Sequence, residues 1–140
     1  MSPKEMFSIA GMLVMPMWIL MMFLPKWKGT QVLIKFKIIP ILLSLVYTIY
    51  IYQALQIGGM VDFGSLASVK ELFTEDNAVL AGWVHYLAFD LLIGMWMLEE
   101  NSKLNIHQFL LIPCLFATFM FGPLGYLLFT ILKTIKKGKI

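Results

Sequence analysis

The sequence predicts an all-α fold: a four-helix transmembrane bundle with a short interfacial amphipathic helix between helices 2 and 3. Hydrophobic residues make up 60% of the chain and charged residues 14%, whereas about 25% of residues are charged in soluble domains. The mean hydropathy is +0.83. Four apolar stretches are close to the length of about 20 residues that a helix needs to cross a bilayer. We therefore expect a single integral membrane domain over residues 1–140, with spans at about 6–24, 38–55, 79–98 and 109–132.

The first stretch, residues 6–24, is interrupted by Pro16 and Trp18 and ends before Pro25. No small-residue cleavage site follows it, so we interpret it as a retained span and not as a signal peptide. No long transit peptide precedes it. The expected location is therefore an integral position in a bacterial inner (cytoplasmic) membrane.

The second stretch has Pro40 in its first turn, where a helix tolerates proline. The segment after it has the pattern of a short amphipathic helix, with apolar residues at helical spacing at Leu66, Val69, Leu72 and Phe73. Helices of this kind lie in the membrane interface.

The third stretch contains two ionisable side chains, His85 and Asp90, within the motif GWVHYLAFDLLIGMW. They are five positions apart, which places them about 140° apart around a helix. Small residues on the His85 face permit close approach of another helix, so we expect this span to be interior. Ionisable residues inside membranes tend to mark functional sites. A structural role also fits, with His85 bonded to a neighbouring helix and Asp90 neutral, because burial disfavours a charged carboxyl group.

The fourth stretch carries small residues on one helical face, at Cys114, Thr118, Gly122 and Gly125. This pattern is typical of tight helix packing in membranes, and we expect the face to pack against the third span. Pro123 predicts a kink or a local break at mid-membrane. Cys114 lies in an apolar run, where a reactive thiolate is not expected.

Charge excludes some partners but does not decide the orientation. All eleven basic residues are lysines, and the net charge of +3 is too scattered to indicate nucleic acid. Membrane lipid is the expected partner. Four spans would place six lysines on the side of the termini and five on the other side, and we expect both termini in the cytoplasm. No cofactor or metal is predicted, since His107 is the only other histidine and no ligand spacing is present.

Two motifs, GWVHYLAFDLLIGMW and PCLFATFMFGPLGYLL, resemble the abscisic-acid-deficient-4-like family, the neoxanthin-synthase-type membrane proteins, and here suggest a short bacterial-type member. The opening stretch MFSIAGMLVMPMWILMMFLP is also similar to that family's first helix. The resemblance covers three of the four spans. One departure is MLEENSK after Trp96, where a less acidic stretch is expected.

The resemblance implies a four-helix membrane protein whose plant members are needed to convert violaxanthin into neoxanthin. That isomerisation opens an epoxide and forms an allene, so it needs an acid for the epoxide oxygen and a base for a carbon-bound proton. We predict His85 and Asp90 as catalytic residues beside an apolar cavity. His85 is the expected base, because imidazole titrates nearest neutrality, and Asp90 is the acid or an orienting group. The predicted substrate-binding residues are Trp83, Trp96, Thr118, Phe121 and Pro123.

Three functions therefore remain open. The protein is an isomerase of a carotenoid or other polyisoprenoid, a non-enzymatic protein that binds an apolar pigment or lipid, or a small membrane scaffold or assembly factor. A homo-oligomer is compatible with each of them.

Overall fold

In the computed structural model, residues 2–58 and 62–138 are described, and they form seven helices with no strand among them. The predicted all-α class is therefore confirmed. The helices are α1 (Pro3–Phe23), α2 (Lys28–Phe36), α3 (Ile38–Gly58), α4 (Leu66–Leu72), α5 (Asp76–Leu104), α6 (Gln108–Phe121) and α7 (Pro123–Lys136).

Among the described residues, three helices are long and apolar enough to cross a membrane: α1, α3 and α5. They correspond to the first three predicted spans. Helix α1 continues through Pro16 and begins with a capping box, in which Ser2 and Glu5 satisfy each other's backbone amides. Helix α5 has 29 residues and ends at Asn105, whose φ of 58° stops the helix in the left-handed conformation.

Two short helices connect these three. Helix α4 occupies the place of the predicted amphipathic helix, and the Ser65 side chain caps it by accepting from the Ser68 amide. Helix α2 was not predicted, because its lysines led us to interpret the segment as a connection. Thr30 and Ile34 of α2 are buried. Helix α2 then stops at Lys37, whose ammonium group pairs with Glu99 of α5 at 2.9 Å.

The fourth predicted span, residues 109–132, is not one helix but two, which form a hairpin. The hairpin turns at Gly122, whose φ of 46° and ψ of −91° fit neither helix, and Pro123 is the first residue of α7. A Cβ built on Gly125 would lie 2.3 Å from the Thr118 backbone nitrogen and 2.6 Å from the Cys114 carbonyl oxygen. Residues seven and eleven positions apart are this close only if α7 folds back on α6.

Contacts along α5 show the direction of α7. Trp96 packs against Tyr126 and Phe129, with ring centroids 5.6 and 5.3 Å apart, and one turn further on Glu100 pairs with Lys133 at 2.8 Å. Residue numbers therefore rise together in α5 and α7, so the two helices run parallel. Helix α6 runs in the opposite direction and α7 returns to the face at which α6 began. The prediction of a fourth crossing helix is therefore wrong.

The hairpin also changes the predicted topology. Helices α1 and α5 begin at one face, which we call the amino-terminal face, and Pro3 and Lys4 lie beside Asp76 there. Both helices end at the opposite face, where the Gln108 amide donates to the Met22 carbonyl. Because α7 ends at this second face, the expectation that both termini share a face is wrong.

Lysines concentrate at the face where α1, α5 and α7 end, which we call the lysine-rich face. Among the described residues, only Lys4 and Lys70 belong to the amino-terminal face. The lysine-rich face gathers Lys26, Lys28, Lys35, Lys37, Lys103, Lys133, Lys136 and Lys137. The near-even count that four crossing helices would give becomes eight against two.

Helix α5 is the centre of the bundle, as expected from its small residues. It packs against α1, α3, α6 and α7, and eleven of its residues are buried. Gly94 lets Trp18 and Met21 of α1 approach, since a Cβ there would lie 2.7 to 2.9 Å from their side chains. This central position brings Asp90 to the tip of the hairpin.

Candidate functional site

Asp90 is a buried carboxyl group at the tip of the α6–α7 hairpin. The residue is 8% exposed, and its Oδ2 atom is buried with no hydrogen-bond partner among the described residues. A Cβ built on Gly122 would lie 2.6 Å from Asp90 Oδ1. Glycine is therefore required at position 122 both for its positive φ and for this close approach.

The hairpin tip lies at the depth of Asp90 for a simple geometric reason. Asp90 precedes Leu104, the last residue of α5, by 14 positions, and α6 is 14 residues long. Fourteen residues of α-helix span about 21 Å, so α6 ends level with Asp90. The carboxyl group thus meets the first turn of α7, where a helix dipole favours negative charge, although burial opposes that charge.

Tyr86 holds the tip against α5 one turn before Asp90. Its hydroxyl donates to the Met120 carbonyl at 2.8 Å. That carbonyl is in the last turn of α6, where no helical amide follows to bond it because the chain turns at Gly122. The Tyr86 hydroxyl is also a neighbour of the Asp90 carboxyl group. Tyr86 therefore fixes the position of the tip relative to Asp90.

An open groove runs beside Asp90 on the outer surface of the bundle. It has a volume of about 350 Å³. Its walls are Phe89, Asp90, Ile93, Gly122, Pro123 and Tyr126. In a bilayer this surface meets lipid, so the groove opens sideways toward the membrane.

His85 does not share this groove. It is exposed, and its ring contacts Tyr47 of α3 at 5.8 Å and Phe89 at 4.8 Å between centroids. Phe89 also lines the groove, so its ring stands between the imidazole and Asp90. The structure thus keeps the two predicted catalytic residues on separate faces, as their spacing of about 140° indicates.

The predicted substrate-binding residues are also dispersed. Only Pro123 lines the groove. Trp83 is exposed and stacks on Tyr86 at 5.5 Å, whereas Trp96 lies under the Lys133 ammonium group at 5.4 Å from its ring.

The other two predicted residues lie within the hairpin. Thr118 is fully buried and donates to the Cys114 carbonyl at 2.8 Å, so it packs the hairpin. Phe121 is 61% exposed. The sequence analysis did not select the groove walls Phe89, Ile93 and Tyr126, although Phe89 and Ile93 flank Asp90 at positions −1 and +3 of the same helix.

The described residues offer no group of three His, Cys, Asp or Glu side chains that could hold a metal ion. Cys114 is buried, and its thiol donates to the Leu110 carbonyl at 3.6 Å. Among the described groove residues, Asp90 and Tyr126 have ionisable side chains, and Asp90 is the one that lies on a helix of membrane-spanning length.

The helices and the groove define a class of protein, a small helical membrane protein with a lipid-facing groove around a buried carboxyl group. Within this class, the chain belongs to the ABA DEFICIENT 4-like family (ABA4-like), whose model matches residues 5–129. The matched region contains α1 from its third residue, α2 to α6, the hairpin tip and every wall of the groove. The resemblance drawn from the motifs is therefore confirmed. Comparisons with curated proteins and with solved structures give no significant match.

Proposed function

We propose that the groove receives a carotenoid or another apolar polyisoprenoid from the bilayer and that Asp90 isomerises it by proton transfer. The observation that supports this most strongly is the unpartnered Oδ2 atom of Asp90 beside an otherwise apolar groove. A buried carboxyl oxygen without a hydrogen bond is costly, and ionisable residues inside membranes tend to be functional. Membership of the family supports the choice of substrate class.

One carboxyl group can carry both proton transfers of an epoxide-to-allene isomerisation. The neutral acid gives its proton to the epoxide oxygen as one carbon–oxygen bond breaks. The resulting carboxylate then removes a proton from the neighbouring carbon, and that C–H electron pair becomes the new carbon–carbon double bond. The acid is restored and no electrons are gained or lost, so the reaction requires no redox cofactor.

The size of the groove indicates how such a substrate would bind. A volume of about 350 Å³ is near the lower limit for ligand pockets. It accommodates the ring at one end of a carotenoid, while the polyene chain lies along the bundle in lipid. The assignment of His85 as the base stays a prediction, and it would require a second contact with the substrate beyond Phe89.

A second candidate function is pigment or lipid binding without turnover. It is favoured by the separation of His85 from Asp90, which leaves a single acid–base group in the groove. A scaffold role, the third candidate, would need neither the groove nor its carboxyl group.

We further propose that the lysine-rich face is cytoplasmic. The count of eight lysines against two among the described residues favours this orientation under the positive-inside rule. The carboxyl end of α7 is then cytoplasmic and the amino-terminal face is on the other side. A bacterial inner membrane fits this arrangement.

The test is conversion of a 5,6-epoxy carotenoid by protein purified in mild detergent. Asp90→Asn keeps the shape of the side chain but removes its acidic proton, so we expect the rate of conversion to fall about 100-fold or more. Glu99→Gln is the matched control, a carboxyl-to-amide change at the lysine-rich face that should leave conversion intact. His85→Ala tests the second predicted catalytic residue in the same assay.

Each outcome favours one function. Equal conversion by Asp90→Asn and the parent would exclude Asp90 from the mechanism. Bound pigment without conversion, released when Ile93→Phe fills the groove, would favour the binding function. A parent protein with neither conversion nor bound pigment would favour the scaffold.

A further inference from the structure

Another cavity lies at the lysine-rich face, away from Asp90. It is a crevice of about 590 Å³ between the end of α5, the start of α6 and the connection from α1 to α2. Polar side chains dominate its lining, including Lys26, Gln31, Asn105 and His107. No function assigned above uses it.

Several polar groups of the crevice are occupied in holding its walls in place. The Asn101 side chain accepts from the Ile106 amide at 2.7 Å and donates to the Ile106 carbonyl at 3.0 Å, which fixes the turn between α5 and α6. Gln108 donates to the Met22 carbonyl at 2.6 Å and so ties α6 to the end of α1. The crevice is therefore preformed.

Three other side chains leave donors free for a ligand. The His107 Nδ1 atom accepts from the Phe109 amide at 3.1 Å, so the neutral ring carries its hydrogen on Nε2. Lys26 Nζ has no carboxylate within 4.0 Å among the described residues. Asn105 places its amide on the same wall and has no hydrogen bond from its side chain in the described part of the chain.

The charge of the crevice selects for an anion. None of the described lining residues is acidic. The two carboxylates at this end of α5 are neutralised elsewhere, Glu99 by Lys37 at 2.9 Å and Glu100 by Lys133 at 2.8 Å. The ammonium group of Lys26 is therefore not compensated by the protein.

We propose that this crevice binds a phosphate group, with the headgroup of an anionic phospholipid as its source. The crevice lies at the ends of α1 and α5, two helices of membrane-spanning length, where lipid headgroups are found, and its free groups are hydrogen-bond donors around one cation. Phosphate oxygens accept from several donors at once, and such charge-assisted bonds are strong. The site does not depend on the function proposed for Asp90.

The experiment compares four proteins in nanodiscs of phosphatidylcholine with or without phosphatidylglycerol. These are the parent, Lys26→Gln, His107→Asn and the control Lys28→Gln. Lys28 is an exposed lysine two positions from Lys26 that does not line the crevice. Asparagine is a good helix N-cap, so His107→Asn preserves the start of α6, and its shorter side chain withdraws the donor from the position of the His107 Nε2 atom.

The number of phosphatidylglycerol molecules that each protein retains is measured by native mass spectrometry. We expect one tightly held lipid in the parent and in Lys28→Gln, and an affinity about tenfold weaker in Lys26→Gln and His107→Asn. The second measurement is protection of the detergent-solubilised parent from heating by inorganic phosphate.

Phosphate protection that Lys26→Gln abolishes, without lipid retention, would support the phosphate site and assign it a soluble ligand. Equal lipid retention in all four proteins, with no effect of inorganic phosphate, would overturn the proposal. In that case the lysines would attract anionic lipid only as a general charged rim.

Discussion

Gly125→Ala tests the hairpin, because this glycine lies where α7 crosses α6. A methyl group at this position would lie 1.9 Å from Thr118 Oγ1 and 2.3 Å from the Thr118 nitrogen. Ordinary contacts to a Cβ are at least 3.4 Å. Because the clashing atoms include backbone, no side-chain rotation relieves them, and α7 must move back by about 1 Å.

The expected cost follows from this displacement. Overpacking a tight contact costs about 1–3 kcal/mol, and we expect the upper end because rigid backbone is involved. For a chain of this size, about 3 kcal/mol corresponds to a fall in Tm of about 10 °C. The measurement is thermal unfolding in mild detergent, followed by the fluorescence of the tryptophans.

The matched control is Gly11→Ala in α1. A Cβ there meets nothing within 4 Å, and alanine is the better helix former, so Tm should not fall. The same apparent Tm for Gly125→Ala and the parent would contradict the reasoning, since an uninterrupted fourth span would leave position 125 free of Thr118.

Three further predictions concern the tip and the topology. Tyr86→Phe removes one hydrogen bond to the hairpin tip, and we expect a loss of about 1 kcal/mol, read as a small fall in Tm; no fall would mean that the bond does not hold the tip. Gly122→Leu places a branched side chain at positive φ against Asp90, so it should lower Tm and release any bound pigment, and an unchanged melting profile would argue that the tip faces lipid. In a cysteine-free background, a membrane-impermeant maleimide added to intact cells should label Ala67→Cys but not Ser102→Cys, and the reverse pattern would invert the proposed orientation.

The sequence was a good guide to α5 and a partial guide to the hairpin. Small residues beside His85 correctly predicted a central helix, and Pro123 correctly predicted a break in the fourth stretch. The sequence analysis expected the chain to continue across the membrane after this break, whereas α7 turns back along α6. Residues 109–132 are long and apolar enough for one span, and only the backbone angles of Gly122 decide that the chain turns back.

The small residues of the fourth stretch fit a continuous helix and a hairpin equally well. Cys114, Thr118, Gly122 and Gly125 are all buried, as expected. On a continuous helix they would form one face toward a neighbour, whereas in the hairpin Gly125 packs directly on Cys114 and Thr118. Both arrangements require small residues, so the pattern alone does not separate them.

The sequence analysis selected two of the residues that border the groove and missed the other walls. Asp90 and Pro123 border the same groove, but the groove walls depend on which side chains α7 brings back to α5. No spacing within a single stretch reveals that contact. His85 faces away because a helix fixes the angle between positions five apart, so uniting it with Asp90 would need a ligand that passes around Phe89.

The hairpin also gives the bundle unequal cross-sections in the two leaflets. In the half of the bilayer next to the lysine-rich face, five helices (α1, α3, α5, α6 and α7) lie side by side, whereas, of the helices in the described part of the chain, only α1, α3 and α5 continue into the other half. The molecule is therefore a wedge with its broad end in one leaflet. In a bilayer, lipid would fill the volume above the hairpin tip beside the narrow end, and the groove opens where the two widths meet.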